Sequence, residues 1–355
     1  MKIVADENLA FTDYFFADIA KIDHVAGRTL TPLQLQGADA LLVRSVTQVN
    51  AALLDQQAIG FVGSATIGTD HLDTQYLNEQ HITWANAAGC NAQAVAEYVI
   101  TALLYLRPHL LSNPSSLTLG IVGLGNVGQR LAHLAQHLGL RVIGYDPFVD
   151  DQHIEQVSFD QLLQEANAIS IHVPLTQHGL YPTFHLFNAT TFAQLKQDTI
   201  LINSARGPVV AEQDLIADLK QTQRDVVLDV FEHEPKISKQ LLDLVRIATP
   251  HIAGYSLEGK AKGTQMIYEA FCQHYHFAIE KQYQTQLPPC DRFFEGQDWH
   301  NSLMQHINAI YDIQADDSNL RACIHDGVVN QAAFDQLRKT YPLRREWASH
   351  GADLL

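Results

Sequence analysis

An arginine, two glutamates and a histidine stand just past the ends of apolar runs in the middle of this chain, and their types suit the chemistry of small anions. Arg206 follows the run TILI in Asn203-Ser204-Ala205-Arg206-Gly207. A guanidinium emerging from a buried strand beside a glycine can grip a planar carboxylate through two parallel hydrogen bonds. Glu232 and Glu234 follow VVLDVF, with Asp229 inside that stretch and Pro235 closing it. His251 and Gly254 come after Thr249-Pro250, and Tyr255 is next. The carboxyl ends of neighbouring parallel strands open onto one face of a sheet, so a guanidinium, a carboxylate and an imidazole are expected to converge there.

A second constellation lies upstream. Residues 119–124 form an apolar run of the length of a buried parallel strand. Gly123, Gly125 and Gly128 then punctuate the start of a helical pattern, Asn126 and Val127 among them, with apolar residues at Val127, Leu131, Leu134 and Leu138 and a stop at Gly139. A second strand, 141–145, ends on Asp146. Strand, glycine-rich turn, helix, strand and acid is the order of a dinucleotide-binding unit. The first glycine permits the tight turn, the second lets backbone N–H groups approach a pyrophosphate, and the third lets helix and strand pack closely. Asp146 is placed to accept hydrogen bonds from a ribose diol and would repel a 2′-phosphate. Pro147 and Phe148 supply no arginine for one, so the expected cofactor is NAD rather than NADP.

The elements that must position these groups alternate along the chain. Short apolar strands at 3–5, 24–25, 40–43, 61–63 and 82–84 are separated by helical patterns such as 51–57 and 71–79, which implies a parallel sheet covered by helices. Two of those strands end in polar clusters, Arg44-Ser45-Val46-Thr47 and Ser64-Ala65-Thr66-Ile67-Gly68-Thr69. From spacing alone these are either helix caps or ligand contacts. A long apolar helix over 92–111 leads into the cofactor domain, and after Asp146 further strands are expected at 168–173, 199–203, 226–230 and 247–248.

With 355 residues the chain has room for two or three domains, and a formal charge of −16 argues against a nucleic-acid partner. The four cysteines are far apart and the 18 histidines form no ligand cluster, so neither a disulfide framework nor a metal site is expected. No apolar run reaches membrane-spanning length, and Met1 leads directly into a strand; a cytoplasmic protein is expected, with no membrane partner.

NSARG, LDVFEHEP and TPHIAG, with the glycine motif and IHVPLT in their places, resemble the D-isomer-specific 2-hydroxyacid dehydrogenases over most of residues 1–280. The resemblance implies an α/β fold of two doubly wound parallel-sheet domains, a flavodoxin-like substrate domain (1–93 and 256–285) and a Rossmann NAD domain (94–255) inserted into it. It implies that Arg206 binds the substrate carboxylate, that His251 exchanges a proton with the C2 hydroxyl, and that Glu234, which fits the family position better than Glu232, supports His251. Val173, Ser204, Ala205, Arg206, Asp229 and Gly254 would join Gly123, Gly125, Asn126, Val127, Gly128 and Asp146 in lining the cofactor. RSVTQVN, GSATIGTDHLD, AAGCNAQAVAEYV and HIAGYSLEGKAKGT are similar to the branch of that family that oxidises 4-phospho-D-erythronate in pyridoxine 5′-phosphate biosynthesis. On that likeness Ser45, Thr66 and Tyr255 contact a small phosphorylated 2-hydroxy acid. Residues 286–355 would be a small C-terminal α+β domain serving a homodimer. The pairs Arg338/Lys339 and Arg344/Arg345 there are either a solvated or ion-paired face or phosphate contacts, and Arg44 is a further phosphate candidate. Oxidation of another acid such as 3-phosphoglycerate, and a non-catalytic NAD-sensing role, stay open at this point.

Overall fold

The computed structural model describes residues 1–294 and 299–352. They form two compact units, Met1–Asn91 with Ser256–Pro289, and Ala92–Tyr255 with Cys290–Leu355.

The first unit is built on a five-stranded, all-parallel sheet. Its strands are β1 (Lys2–Asp6), β2 (Lys21–Val25), β3 (Ala40–Val43), β4 (Phe61–Ser64) and β5 (Thr83–Asn86), in the order β2-β1-β3-β4-β5. That is the flavodoxin-like order. The two-residue period of a strand divides the apolar side chains between two faces. Ile3, Ala40 and Leu42 pack with Ile267 and Phe271 of the helix Leu257–Tyr275, whereas Val4, Leu41 and Val43 pack with Leu35, Leu53 and Leu77. Both faces are buried, which is why β3 and β4 read as continuous apolar runs.

The second unit carries a seven-stranded parallel sheet. The strands are β6 (Thr118–Val122), β7 (Arg141–Tyr145), β8 (Glu155–Gln156), β9 (Ala168–Ile171), β10 (Ile200–Asn203), β11 (Val226–Leu228) and β12 (Ile247–Ala248), in the order β12-β11-β10-β9-β6-β7-β8. The order reverses between β6 and β9, the place where such sheets open a ligand crevice. The two-residue edge strand β8 has too little apolar content to be read from sequence. The helix expected over 92–111 spans Ala92–Leu106. Pro108 lacks the N–H to continue it and disfavours the helical conformation at Arg107, so the apolar residues beyond form a 3₁₀ turn, Leu110–Ser112. The helix Asn126–His137 ends as expected, with Gly139 at φ +84° just past its cap.

The C-terminal block adds three helices, Trp299–Ile310, Ile313–Ala322 and Gln331–Lys339, and a small antiparallel hairpin of β13 (Ile324–His325) and β14 (Val328–Val329). It closes the β12 edge of the sheet. Asp317 accepts the β12 N–H of Ala248 at 2.7 Å, and Arg321 donates to the carbonyls of Leu242 and Val245. An edge covered this way cannot template pairing with another chain. Trp347, 1% exposed, is buried in the cluster that includes Val95, Tyr98 and Leu103 of the helix Ala92–Leu106. Its backbone N–H donates to Glu97 at 2.9 Å. Trp347→Ala is therefore expected to cost about 3–5 kcal/mol, seen as a lower urea midpoint by circular dichroism. An unchanged midpoint would mean that the block is not part of this folding unit.

Candidate active site

The glycine turn after β6 is shaped by contacts that exclude side chains. A Cβ on Gly128 would lie 1.9 Å from the carbonyl oxygen of Gly123, and one on Gly123 would lie 2.7 Å from that of His172, so helix and strand ends touch backbone to backbone. Gly123 has φ +94°. At Gly125, by contrast, a Cβ meets nothing within 4 Å. Gly125 is the N-cap of the helix Asn126–His137 and brings no capping side chain, so the first N–H groups of that helix face outward over an open backbone. Orphan N–H groups at the positive end of a helix dipole are an anion site. Asp146, directly after β7, accepts from Leu124 N at 2.8 Å and from Phe148 N at 2.9 Å. Those bonds fix the carboxylate beside the turn, and a carboxylate has lone pairs left for a diol. Val173 follows β9, on the other side of the crevice. Residues of this kind, in this place, fit a dinucleotide.

Arg206, Glu234 and His251 follow β10, β11 and β12, three adjacent strands. Asn203 at the end of β10 donates to Arg206 O at 3.0 Å and accepts from Ala205 N at 3.1 Å, which shapes the turn carrying Ser204, Ala205 and Arg206. Gly207 is required next, because a Cβ there would lie 1.9 Å from Phe231 O. His251 Nδ1 and Glu234 Oε1 are 2.8 Å apart. With Nδ1–H donating to the carboxylate, Nε2 is left as the acceptor that faces outward. Glu232 points elsewhere, to His185 Nε2 at 2.6 Å and Glu212 N at 2.7 Å, so of the two glutamates it is Glu234 that reaches the imidazole. Burial pushes the Glu234 carboxyl up, but the charge and hydrogen bond of His251 and the charge of Arg338 hold it below the usual carboxylate range.

Asp229 is 1% exposed and both its oxygens are taken. Oδ1 accepts from Thr249 Oγ1 at 2.6 Å and Ile252 N at 2.8 Å, and Oδ2 accepts from Ala253 N at 2.9 Å. The loop that carries His251, at φ 57°, and Gly254 is thus pinned from below. Tyr255 follows it, its ring edge-on to Tyr341 at 5.8 Å.

Ser45 and Thr66 belong to the first unit, where they follow the adjacent strands β3 and β4. Ser45 is exposed. Thr66 Oγ1 lies 2.8 Å from Ser64 Oγ, which lies 2.9 Å from Nε2 of the buried His71. Burial pushes the His71 imidazole down, keeping it neutral and able to accept or donate. Beside Ser45, Arg44 donates from Nε to the buried Asp6 at 2.9 Å. Sequence reasoning did not find His71 or Asp6 as supports; the polar residue His71 in GSATIGTDHLD was the available signal.

Comparison with known proteins gives these features a context. Residues 106–253 match the family described as D-isomer specific 2-hydroxyacid dehydrogenase, NAD binding domain, and residues 292–352 match a domain of unknown function. The chain is 65% identical over 351 residues to an erythronate-4-phosphate dehydrogenase of Acinetobacter baumannii, covering 99% of both. It is 45% identical to the enzyme of the same name from Psychrobacter cryohalolentis, covering 98% of this chain and 97% of that one. Among solved structures, the D-lactate dehydrogenase of Aquifex aeolicus with NAD and lactic acid superposes with a TM-score of 0.64 at 22% identity, over 79% of this chain and all of that one. The holo D-mandelate dehydrogenase of Rhodotorula graminis gives 0.66 at 23% identity, over 77% of this chain and 93% of that one. These two show a shared fold.

The glycines separate two effects. Gly125→Ala is expected to leave thermal stability unchanged while raising the Kd for NAD by about 10-fold or more, by crowding the helix N-terminus. Gly128→Ala is expected to lower both stability and NAD affinity. Calorimetric titration beside thermal melts checks this; equal behaviour of the two variants would contradict it.

Proposed function

The chain belongs to the erythronate-4-phosphate dehydrogenases, among the D-isomer specific 2-hydroxyacid dehydrogenases, and we propose that its reaction is the NAD-dependent oxidation of 4-phospho-D-erythronate to (R)-3-hydroxy-2-oxo-4-phosphooxybutanoate. The observation that carries this reading is the 2.8 Å His251–Glu234 pair, one strand end away from the turn of Arg206, in a chain 65% identical to enzymes of that name. NAD, when bound, supplies the acceptor for the hydride that leaves C2.

The residues of the chain do the rest. Arg206 grips the substrate carboxylate with its fork and polarises the C2 oxygen. His251 Nε2 takes the C2 hydroxyl proton. Glu234 keeps the imidazole in the tautomer that leaves Nε2 free, and its carboxylate stabilises the imidazolium that forms. Ser45, Thr66 and Tyr255 present hydroxyls for the polyol or phosphate of the acid. Gly123, Gly125, Asn126, Val127, Gly128 and Asp146 hold the adenosine and pyrophosphate part of NAD, with Val173, Ser204, Ala205, Asp229 and Gly254 along the remainder. The family likeness further supports a place in pyridoxine 5′-phosphate biosynthesis, a cytoplasmic location, and a homodimer formed through the C-terminal block.

The test is NADH formation by the purified protein with 4-phospho-D-erythronate beside 3-phosphoglycerate, repeated with a 2-oxo acid as acceptor while following the oxidised product. Selective turnover of 4-phosphoerythronate is expected; turnover of 3-phosphoglycerate alone would overturn the substrate. His251→Ala is expected to lower kcat by about 10²–10⁴-fold with NAD affinity unchanged. Arg206→Lys keeps the charge but loses the fork, and kcat/KM should fall by about 10–100-fold. Near-normal steady-state rates in either variant would remove that residue from its role.

A further inference from the structure

The side chains that brace the loop 251–255 from outside the sheet come from the C-terminal block. Arg344, 8% exposed, donates to Ile252 O and to Ala94 O, each at 3.1 Å, and to Ala253 O. A guanidinium spent on backbone carbonyls is a fixed strut, not an anion site, and this one also lies 4.5 Å from the centre of the Tyr311 ring. Arg338, on the helix Gln331–Lys339, is different. It lies over the Tyr255 ring, 5.9 Å from its centroid, and hydrogen-bonds the Tyr255 side chain. Its charge also faces Glu234 and Asp229. Tyr341 also packs edge-on to the Tyr255 ring, centroids 5.8 Å apart, and its hydroxyl donates to Asp316 at 2.8 Å.

Tyr255 is therefore in contact with both a guanidinium and a second, anchored ring. One detail speaks against stability as the reason for Arg338. Its Nε is buried with no acceptor, a donor left unsatisfied at a cost in folding energy. Unsatisfied buried donors are tolerated where a group is placed for another purpose.

We propose that Arg338 is a positioning residue of the active site, through which the C-terminal block aims the Tyr255 hydroxyl at the substrate. This rests on the reading of Tyr255 as a substrate contact. It gives the block, which matches a domain of unknown function, a part in the chemistry. Arg338 acts on substrate through Tyr255, so the two residues form one unit. Lysine at 338 keeps the charge but loses the planar fork of donors.

The test is a double-mutant cycle of Arg338→Met and Tyr255→Phe, with kcat and KM for 4-phospho-D-erythronate and the Kd for NAD measured on each protein. Each single variant is expected to raise KM by about 10-fold with NAD affinity unchanged, and the double variant to be no worse than the worse single. Arg338→Lys should recover only part of the loss. Effects that multiply in the double variant, or an Arg338→Met enzyme with wild-type kinetics, would overturn the proposal. If Arg338→Met does not fold, the same cycle run with Arg338→Lys decides it on the same criterion. The wild type is measured first: failure to oxidise 4-phosphoerythronate overturns the functional reading itself, which separates that failure from the failure of Arg338.

Discussion

The arrangement turns on one buried carboxylate. Asp229 sits at the end of β11 with no exposure to speak of, and burial pushes its carboxyl up. An ionised group in such a place is tolerable only if its oxygens are fully engaged. Here two backbone N–H groups and the Thr249 hydroxyl supply the bonds, and Tyr98 steadies that hydroxyl from the helix Ala92–Leu106 at 2.8 Å. The consequence is geometric. The backbone from Thr249 to Ala253 has one shape, and His251 is held at a positive φ that a non-glycine residue adopts only when its surroundings insist. The imidazole then meets Glu234, and the carbonyls of Ile252 and Ala253 meet Arg344. Without that carboxylate the loop would have orphan N–H groups below it and no reason to hold its turn.

Two histidines illustrate how the same side chain is put to opposite uses. His71 is buried, held neutral, and serves to orient Ser64 and through it the Thr66 hydroxyl. His251 has a carboxylate at Nδ1 and more than a third of its side chain open to solvent. One orders a hydroxyl chain from inside the core; the other is paired with a carboxylate and open on its far side.

The parts legible in the sequence were those written locally. Buried parallel strands are apolar runs, so most strands of both sheets could be placed, and a glycine-rich turn between strand and helix announces its own purpose. The grouping of Arg206, Glu234 and His251 at three neighbouring strand ends was legible because each follows such a strand. What misled was apolarity without helical geometry: residues 109–111 look like helix but lie beyond Pro108. What could not be read were pairings across long separations. Asp6 with Arg44, and Arg344 with the carbonyls of the histidine loop, are set by the fold, and an arginine's composition does not say whether it will face solvent, phosphate or backbone. Arg344 proved to face backbone.

That last pairing also orders events in time. Arg344 is synthesised 92 residues after the Ile252 carbonyl it supports. A growing chain can complete the sheet, the glycine turn and the Asp229 pin long before the outer brace has left the ribosome, since domains tend to fold as they emerge. The nascent protein thus acquires its nucleotide cradle first and its fully braced histidine loop last. The glycine turn and the finished shape of the histidine loop are separated along the axis of synthesis.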